Sequence, residues 1–216
     1  MSSKRFPGKV IAPIFGRTVL ELIIERVSKS VLVDDFIVAT SVEKSDDLLV
    51  DLIPPGKVYR GSLGDVRSRF IEIAQIYKPQ NVIRITADCP LTCFQLLDNV
   101  LREHEKTGAD YTANCNVMAY PKGFDIEVFR AELLFDERSQ INDPFEIEHV
   151  TPWMYRSGKL NVVNIEFEDW QTAKKYNFSI DLKTDLDFVR NFAKSAPIET
   201  MTFSEIWNHL NSISRK

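Results

Sequence analysis

Short apolar runs alternating with helix-period stretches constrain this 216-residue chain more than any other feature. Phe36-Ile37-Val38-Ala39 is continuously apolar, the pattern of a strand covered on both faces. Val58-Tyr59, Val82–Ile85, Asp110–Ala113, Ile126–Phe129, Leu160–Ile165 and Phe178–Ile180 extend the strand series. Between them lie helix-period segments. Thr18–Ser30 sets Val19, Leu22, Ile23 and Val27 on one stripe, and Asp65–Tyr77 does the same with Val66, Phe70, Ile73 and Tyr77. Ser45 is placed to cap a helix through Leu52. Further helices are expected over Phe94–Lys106, Ala131–Ser139, Glu148–Arg156, Asp185–Ala193 and Ser204–Ile213. Such alternation predicts an α/β fold, a three-layer α/β/α sandwich on a mostly parallel sheet, in one domain spanning residues 1–216. Ligands of such sheets sit at the carboxyl ends of strands. The segments after Ala39, Arg60, Thr86 and Asn114 are therefore where a site is expected.

Composition excludes several classes. No apolar run approaches the ~18–20 residues of a membrane-spanning helix, and Pro7 and Gly8 stand where a secretory signal needs an apolar core. The cytoplasm is the expected location, with no membrane partner. A net charge of −4 with scattered basic residues argues against a nucleic-acid partner. Cys89, Cys93 and Cys115 lack the spacing of a zinc site and are expected as reduced, packed thiols.

Five segments carry chemistry. Ser2-Ser3-Lys4-Arg5-Phe6-Pro7-Gly8-Lys9 suits a polyphosphate, since small residues let backbone N–H groups approach the oxygens while cations neutralise them. A frayed basic end is the plainer alternative. Asp88 follows the strand Val82–Ile85 at its carboxyl end, and Asp181 follows Phe178–Ile180 in the same way. Two carboxylates match the one or two protein ligands Mg²⁺ usually takes; helix capping is the alternative for Asp88. Asp125 and Glu127 lie two apart, on one face of a strand. Glu148-His149 offers acid–base groups, against surface charge for Glu146 and a packed core histidine for His149.

These segments, in order, resemble the acylneuraminate/KDO-type cytidylyltransferases, and among them the spore coat polysaccharide biosynthesis protein F type. The matching stretches are Arg5-Phe6-Pro7-Gly8-Lys9-Val10, Pro13-Ile14-Phe15-Gly16 with Ile24-Glu25-Arg26, Val38-Ala39-Thr40-Ser41, Arg60-Gly61-Ser62, and Asp65-Val66 with Arg69-Phe70. Arg84–Leu91, Gly123–Phe129, Glu148–Pro152 and Ile180-Asp181 complete them. The resemblance implies a Rossmann-like nucleotidyltransferase fold that transfers CMP from CTP to a sugar, a nonulosonic or related acidic one, and releases pyrophosphate. It implies that Lys9, Arg5 and Asp88 are catalytic, with Ser3, Arg5, Lys9, Thr40, Arg60, Gly61 and Ser62 on the nucleotide. Asn114, Asp125, Glu127, Glu148 and His149 would face the sugar, and Asp88 and Asp181 would bind Mg²⁺. A homodimer through a segment of about residues 115–165 is also implied.

The resemblance has departures as well. Arg17-Thr18 and Leu182-Lys183 replace the family's usual Lys-Pro and Thr-Pro. The family's apolar first strand has no counterpart ahead of Ser3, so two neighbouring strands are expected to lack a partner between them. A catalytically impaired nucleotide-binding homologue is the rival reading. A metal-dependent glycosyltransferase would carry Asp-x-Asp, whereas Cys89-Pro90 follows Asp88. A dinucleotide oxidoreductase would carry GxGxxG, and no GxG occurs.

Overall fold

The computed structural model describes residues 1, 3–117, 120–140 and 143–214. Its strands are β1 (Pro13–Ile14), β2 (Arg17–Thr18), β3 (Val38–Ser41), β4 (Val58–Gly61), β5 (Asn81–Arg84), β6 (Tyr111–Ala113), β7 (Glu127–Arg130) and β8 (Val162–Asn164). Its helices are α1 (Val19–Val27), α2 (Asp47–Val50), α3 (Val66–Tyr77), α4 (Phe94–Thr107), α5 (Pro144–His149), α6 (Pro152–Arg156), α7 (Trp170–Ala173), α8 (Lys183–Ala193) and α9 (Phe203–Ser214). β5, β7, β6 and β8 form one four-stranded sheet in that order. β7 is antiparallel to both neighbours and β6 is parallel to β8, so three of the four strands run one way. β3 and β4 pair in parallel, with Val38 opposite Val58. β1 and β2 make a small hairpin.

Alternation along the strands sends residues to two cores. Ile83, Ile126 and Val128 join α1, α4, α8 and α9 on one side, where Val19, Leu97, Val100, Val189 and Trp207 pack. Val82, Tyr111, Ala113 and Phe129 face the opposite way, onto Ala74 of α3 and Trp153 and Met154 of α6. Helices thus cover both faces of a mixed, mostly parallel sheet, the architecture the periodicity predicts.

β3 and β5 each end their sheet among the described residues. On β3 the residues turned away from β4 are Ala39 and Ser41, because the amides of Val38 and Val42 donate to Lys57 and Gly61 on the β4 side. Side chains meet the exposed groups. Arg69 Nη1 donates to the Ala39 carbonyl at 2.8 Å, Arg60 Nε to the Ser41 carbonyl at 2.9 Å, and the Ser41 amide donates to Asp46 at 3.1 Å. Gly61 makes room for the first of these, since a Cβ there would stand 2.8 Å from Arg69 Cγ. Capping an end strand in this way removes the unpaired ladder it would otherwise present.

Local chemistry explains the helix boundaries. Thr18 and Glu21 form a capping box at α1: Thr18 Oγ1 accepts the Glu21 amide, and the Glu21 carboxylate accepts the Thr18 amide at 2.7 Å. Asp65 caps α3 through the Ser68 amide at 2.7 Å. α4 ends at Gly108 in the left-handed region. Arg26 of α1 is fully buried and donates to the carbonyls of Leu91, Thr92, Ile198 and Met201, tying α1 to the C-terminal segment.

Four expectations are corrected. The helix expected over Glu148–Arg156 is two helices, broken at Val150 with φ 68°, because Pro152 cannot continue the turn before it. Ala131–Ser139 forms two 3₁₀ turns rather than an α-helix. The Ser45 segment starts as a 3₁₀ turn, Lys44–Asp46, and Ser45 caps nothing. Phe178–Ile180 is not a strand and joins none of these sheets; the Phe178 amide donates to the Lys122 carbonyl and the Ile180 amide to the Asp88 carbonyl.

Candidate active site

Lys9 leads off a short 3₁₀ turn, Lys9–Ile11, entered through Gly8 with φ 73°. That conformation is nearly free for glycine and strained for other residues. It aims the Lys9 ammonium between two carboxylates: Nζ lies 2.8 Å from Asp88 Oδ2 and 3.1 Å from Asp181 Oδ1. Arg5 reaches Asp181 Oδ1 at 2.9 Å, and Lys122 reaches Asp181 Oδ2 at 3.0 Å. Residues more than 170 positions apart in the chain thus converge on one point. The carboxyl end of β5 supplies Asp88, as the strand-end rule requires. The hydrogen bond from the Ile180 amide to the Asp88 carbonyl, 2.8 Å, brings Asp181 beside it.

Second-layer contacts hold these carboxylates. Thr86 Oγ1 donates to Asp88 Oδ1 at 2.6 Å, and Asp185 accepts the amides of Asp181 and Leu182 at 2.9 and 2.7 Å. Asp185 therefore fixes the Asp181 backbone at the start of α8. Burial pushes both site carboxyls up. The hydrogen bonds from Lys9 and Thr86 outweigh it at Asp88, those from Lys122 and Lys9 outweigh it at Asp181, and both carboxyls are held below the usual range. Asp88 and Asp181 accordingly stay ionised at neutral pH. One ammonium bridges both, and two ionised carboxylates this close offer the hard oxygens that Mg²⁺ prefers.

Asp125, half-buried two residues before the start of β7, behaves differently. Burial, reinforced by the charge of Glu127, pushes its carboxyl up to about 6 against the opposing pull of Lys122. Gly123 turns the chain just ahead of it with φ 100°, and a Cβ there would meet Phe178 C and Ser179 N at 2.6 Å. Only glycine lets these two backbones touch and so sets Lys122 beside Asp181.

The remaining expected residues fall into two groups. Thr40, Asn114, Glu127 and Arg60 are engaged within the protein. Thr40 Oγ1 donates to Asp46 at 2.8 Å. Burial pushes Asp46 up, but hydrogen bonds from Ser41, the Met1 amino group and Thr40 hold it below the usual range. Asn114 is buried and clamps one strand segment, donating to the Phe124 carbonyl and accepting the Ile126 amide, both at 2.8 Å. Glu127 is buried and accepts from Tyr111, Thr151 and Arg84. Arg60 also pairs with Asp47 at 2.7 Å. Ser3 Oγ accepts the Phe6 amide at 3.3 Å, bracing the Arg5 turn, and Gly61 underlies Arg69. Ser62 is exposed and receives the Asp65 amide.

Glu148 is exposed, and His149 is half-buried against the Phe145 ring, centroids 4.4 Å apart. The buried acid of that helix is Glu146, which accepts the Trp153 amide at 2.8 Å and so caps α6, in place of the surface charge expected for it. Two residues were missed. Lys122 carries no signal beyond one more surface-type lysine. Arg84 was passed over as part of a strand, although its position opposite Glu127 in the β5–β7 register makes the pair.

The three cysteines are free, and burial pushes the Cys89 thiol well up. No described helix is long and apolar enough to cross a membrane.

Cations and paired carboxylates meeting beyond the end of β5 fit a nucleotidyltransferase. A family model described as cytidylyltransferase matches residues 1–205, and the chain belongs to that family. It is 33% identical over 220 residues to the spore coat polysaccharide biosynthesis protein SpsF of Bacillus subtilis, covering 98% of this chain and 90% of that one. A solved cytidylyltransferase from Leptospira borgpetersenii superposes with a TM-score of 0.91 at 25% identity, covering 100% of this chain and 92% of that chain. A CMP:2-keto-3-deoxy-manno-octonic acid synthetase solved with CTP shares the fold, with a TM-score of 0.64 at 16% identity over 89% of this chain and 94% of that chain. The chain is thus a CTP-dependent nucleotidyltransferase.

Proposed function

We propose that this protein transfers CMP from CTP to an acidic sugar, a nonulosonic acid or a relative, in glycan or surface-polysaccharide biosynthesis. The observation that carries the reading is the convergence of Lys9 and Arg5 on Asp88 and Asp181. In the reaction the sugar hydroxyl oxygen bonds to the α-phosphorus. The bond from that phosphorus to its bridging oxygen breaks, and pyrophosphate leaves with the electron pair. Such a step needs positioning and charge neutralisation above all. Asp88 and Asp181 would hold Mg²⁺, which would supply charge neutralisation to the phosphates. Lys9 and Arg5 then turn from the carboxylates to the triphosphate oxygens. Asp125, poised near neutrality, accepts the hydroxyl proton.

An acidic substrate is supported by the fold shared with the CMP:2-keto-3-deoxy-manno-octonic acid synthetase. Asn114, Glu127 and Thr40 serve this site by holding its walls. Homodimerisation through about residues 115–165 and a cytoplasmic location complete the reading.

The test is pyrophosphate release from CTP and Mg²⁺ with 3-deoxy-manno-octulosonate, sialic and legionaminic acids, and neutral hexoses as controls. Release with an acidic sugar only is expected. CTP binding without release on any of them would favour the impaired-homologue reading.

A further inference from the structure

Three cations, Arg5, Lys9 and Lys122, meet two carboxylates, Asp88 and Asp181, at one point, and Asp181 alone receives all three. With Asp125 nearby the charges roughly balance, so the three cations become free for an anion only once another cation satisfies the carboxylates. Lys122 differs from its two companions in how it is mounted. Its carbonyl accepts the Phe178 amide at 2.7 Å, and the following Gly123 is pressed onto Phe178 and Ser179. The backbone that carries Lys122 is therefore locked to the backbone that carries Asp181. Its side chain is 56% exposed and anchored only at its tip, so it can swing without moving that backbone.

From this we infer that Lys122 is a third phosphate-binding cation, resting on Asp181 until a divalent ion takes that carboxylate and then moving to the triphosphate. The inference rests on the nucleotidyl-transfer reading above. Asp181 already pairs with three cations, Arg5 and Lys9 on Oδ1 and Lys122 on Oδ2, so a divalent ion on that carboxylate would repel the lysine tip and loosen its hold. Locked backbone and free tip leave the lysine within reach of the metal-bound phosphates, where a charge-assisted hydrogen bond forms. Lys122 then has opposite effects on two ligands: it competes with the metal in the nucleotide-free protein and supports the nucleotide when the metal is bound.

The test measures both ligands on wild type, Lys122→Gln, Lys122→Arg and Asp181→Asn. Mn²⁺ binding is read without nucleotide from the paramagnetic signal of the free ion, and CTP binding is read calorimetrically in excess Mg²⁺. Loss of an exposed ion-pair competitor is expected to tighten Mn²⁺ about threefold in K122Q. Loss of one charge-assisted hydrogen bond is expected to weaken CTP about tenfold. K122R should restore CTP binding to within about twofold of wild type, since the charge is kept. Weakening of both ligands in K122Q, the mark of a purely structural role, would overturn the inference, as would no change in either. Wild type that binds neither Mn²⁺ nor CTP, or D181N that binds Mn²⁺ as wild type does, would instead overturn the reading of the whole centre and this inference with it.

Discussion

Replacing Asp125 by asparagine should stabilise the protein at alkaline pH and slow its chemistry. Burial and the neighbouring Glu127 raise this carboxyl from an ordinary 3.8 to about 6. A group with a raised native pKa binds its proton more tightly when folded, so its contribution is fully present below the unfolded value and is lost as pH rises through the native one. From pH 4 to pH 6 the wild type therefore loses stability. At ~1.36 kcal/mol per pH unit, a rise from 3.8 to about 6 corresponds to a loss of about 3 kcal/mol, an upper figure for a half-buried site. Asparagine keeps the shape and carries no charge. D125N is thus expected to exceed wild type by up to about 3 kcal/mol at pH 8 and to match it at pH 4. For a chain of this length that is a Tm difference of about 6–12 °C. Urea unfolding at pH 4, 6 and 8 measures it directly. A difference independent of pH, or a D125N less stable than wild type at pH 8, would refute the reasoning. Turnover should fall in the same variant, as expected where a site keeps a strained charge for function.

Other outcomes follow from the same geometry. Lys9→Ala or Asp88→Ala should lower turnover at least ~100-fold, the scale of losing an electrostatic stabiliser; unchanged pyrophosphate release in either variant would sink the assignment. Glu127→Ala leaves Tyr111, Thr151 and Arg84 without their shared acceptor, and should destabilise by about 3–5 kcal/mol in chemical denaturation. Gly123→Ala forces a Cβ into the Phe178–Ser179 backbone, so metal affinity at Asp181 should drop more than overall helicity in circular dichroism. Chelation of divalent ions should abolish pyrophosphate release, with full recovery on adding Mg²⁺.

Much of the fold was legible because periodicity reports burial. α1, α3, α4, α8 and α9 fall within a few residues of their expected spans, and Asp65 caps α3 at the expected start. Short elements were less legible. Val150 enters a positive φ because Pro152 and the α6 cap by Glu146 force it, and no periodicity encodes that break. In the site, Asp88 was readable as a carboxylate at a strand end. The sequence favours Glu148 for the site and leaves Glu146 to the surface, yet Glu146 turns inward and Glu148 is exposed, since an acidic pair two apart does not say which member packs.

By itself the sequence determined the layers, the order of the segments and the chemistry on offer: cations at the front, a carboxylate after a strand, thiols with no metal spacing. These are local properties, set by periodicity and residue type. Only the tertiary structure decided which charges meet. Lys9 reaches Asp181 across 172 positions, Glu127 is occupied by three donors, and Lys122 joins the centre through a glycine contact. Electrostatic pairing depends on distance in space, and chain order does not carry that distance until the sheet brings the strand ends together.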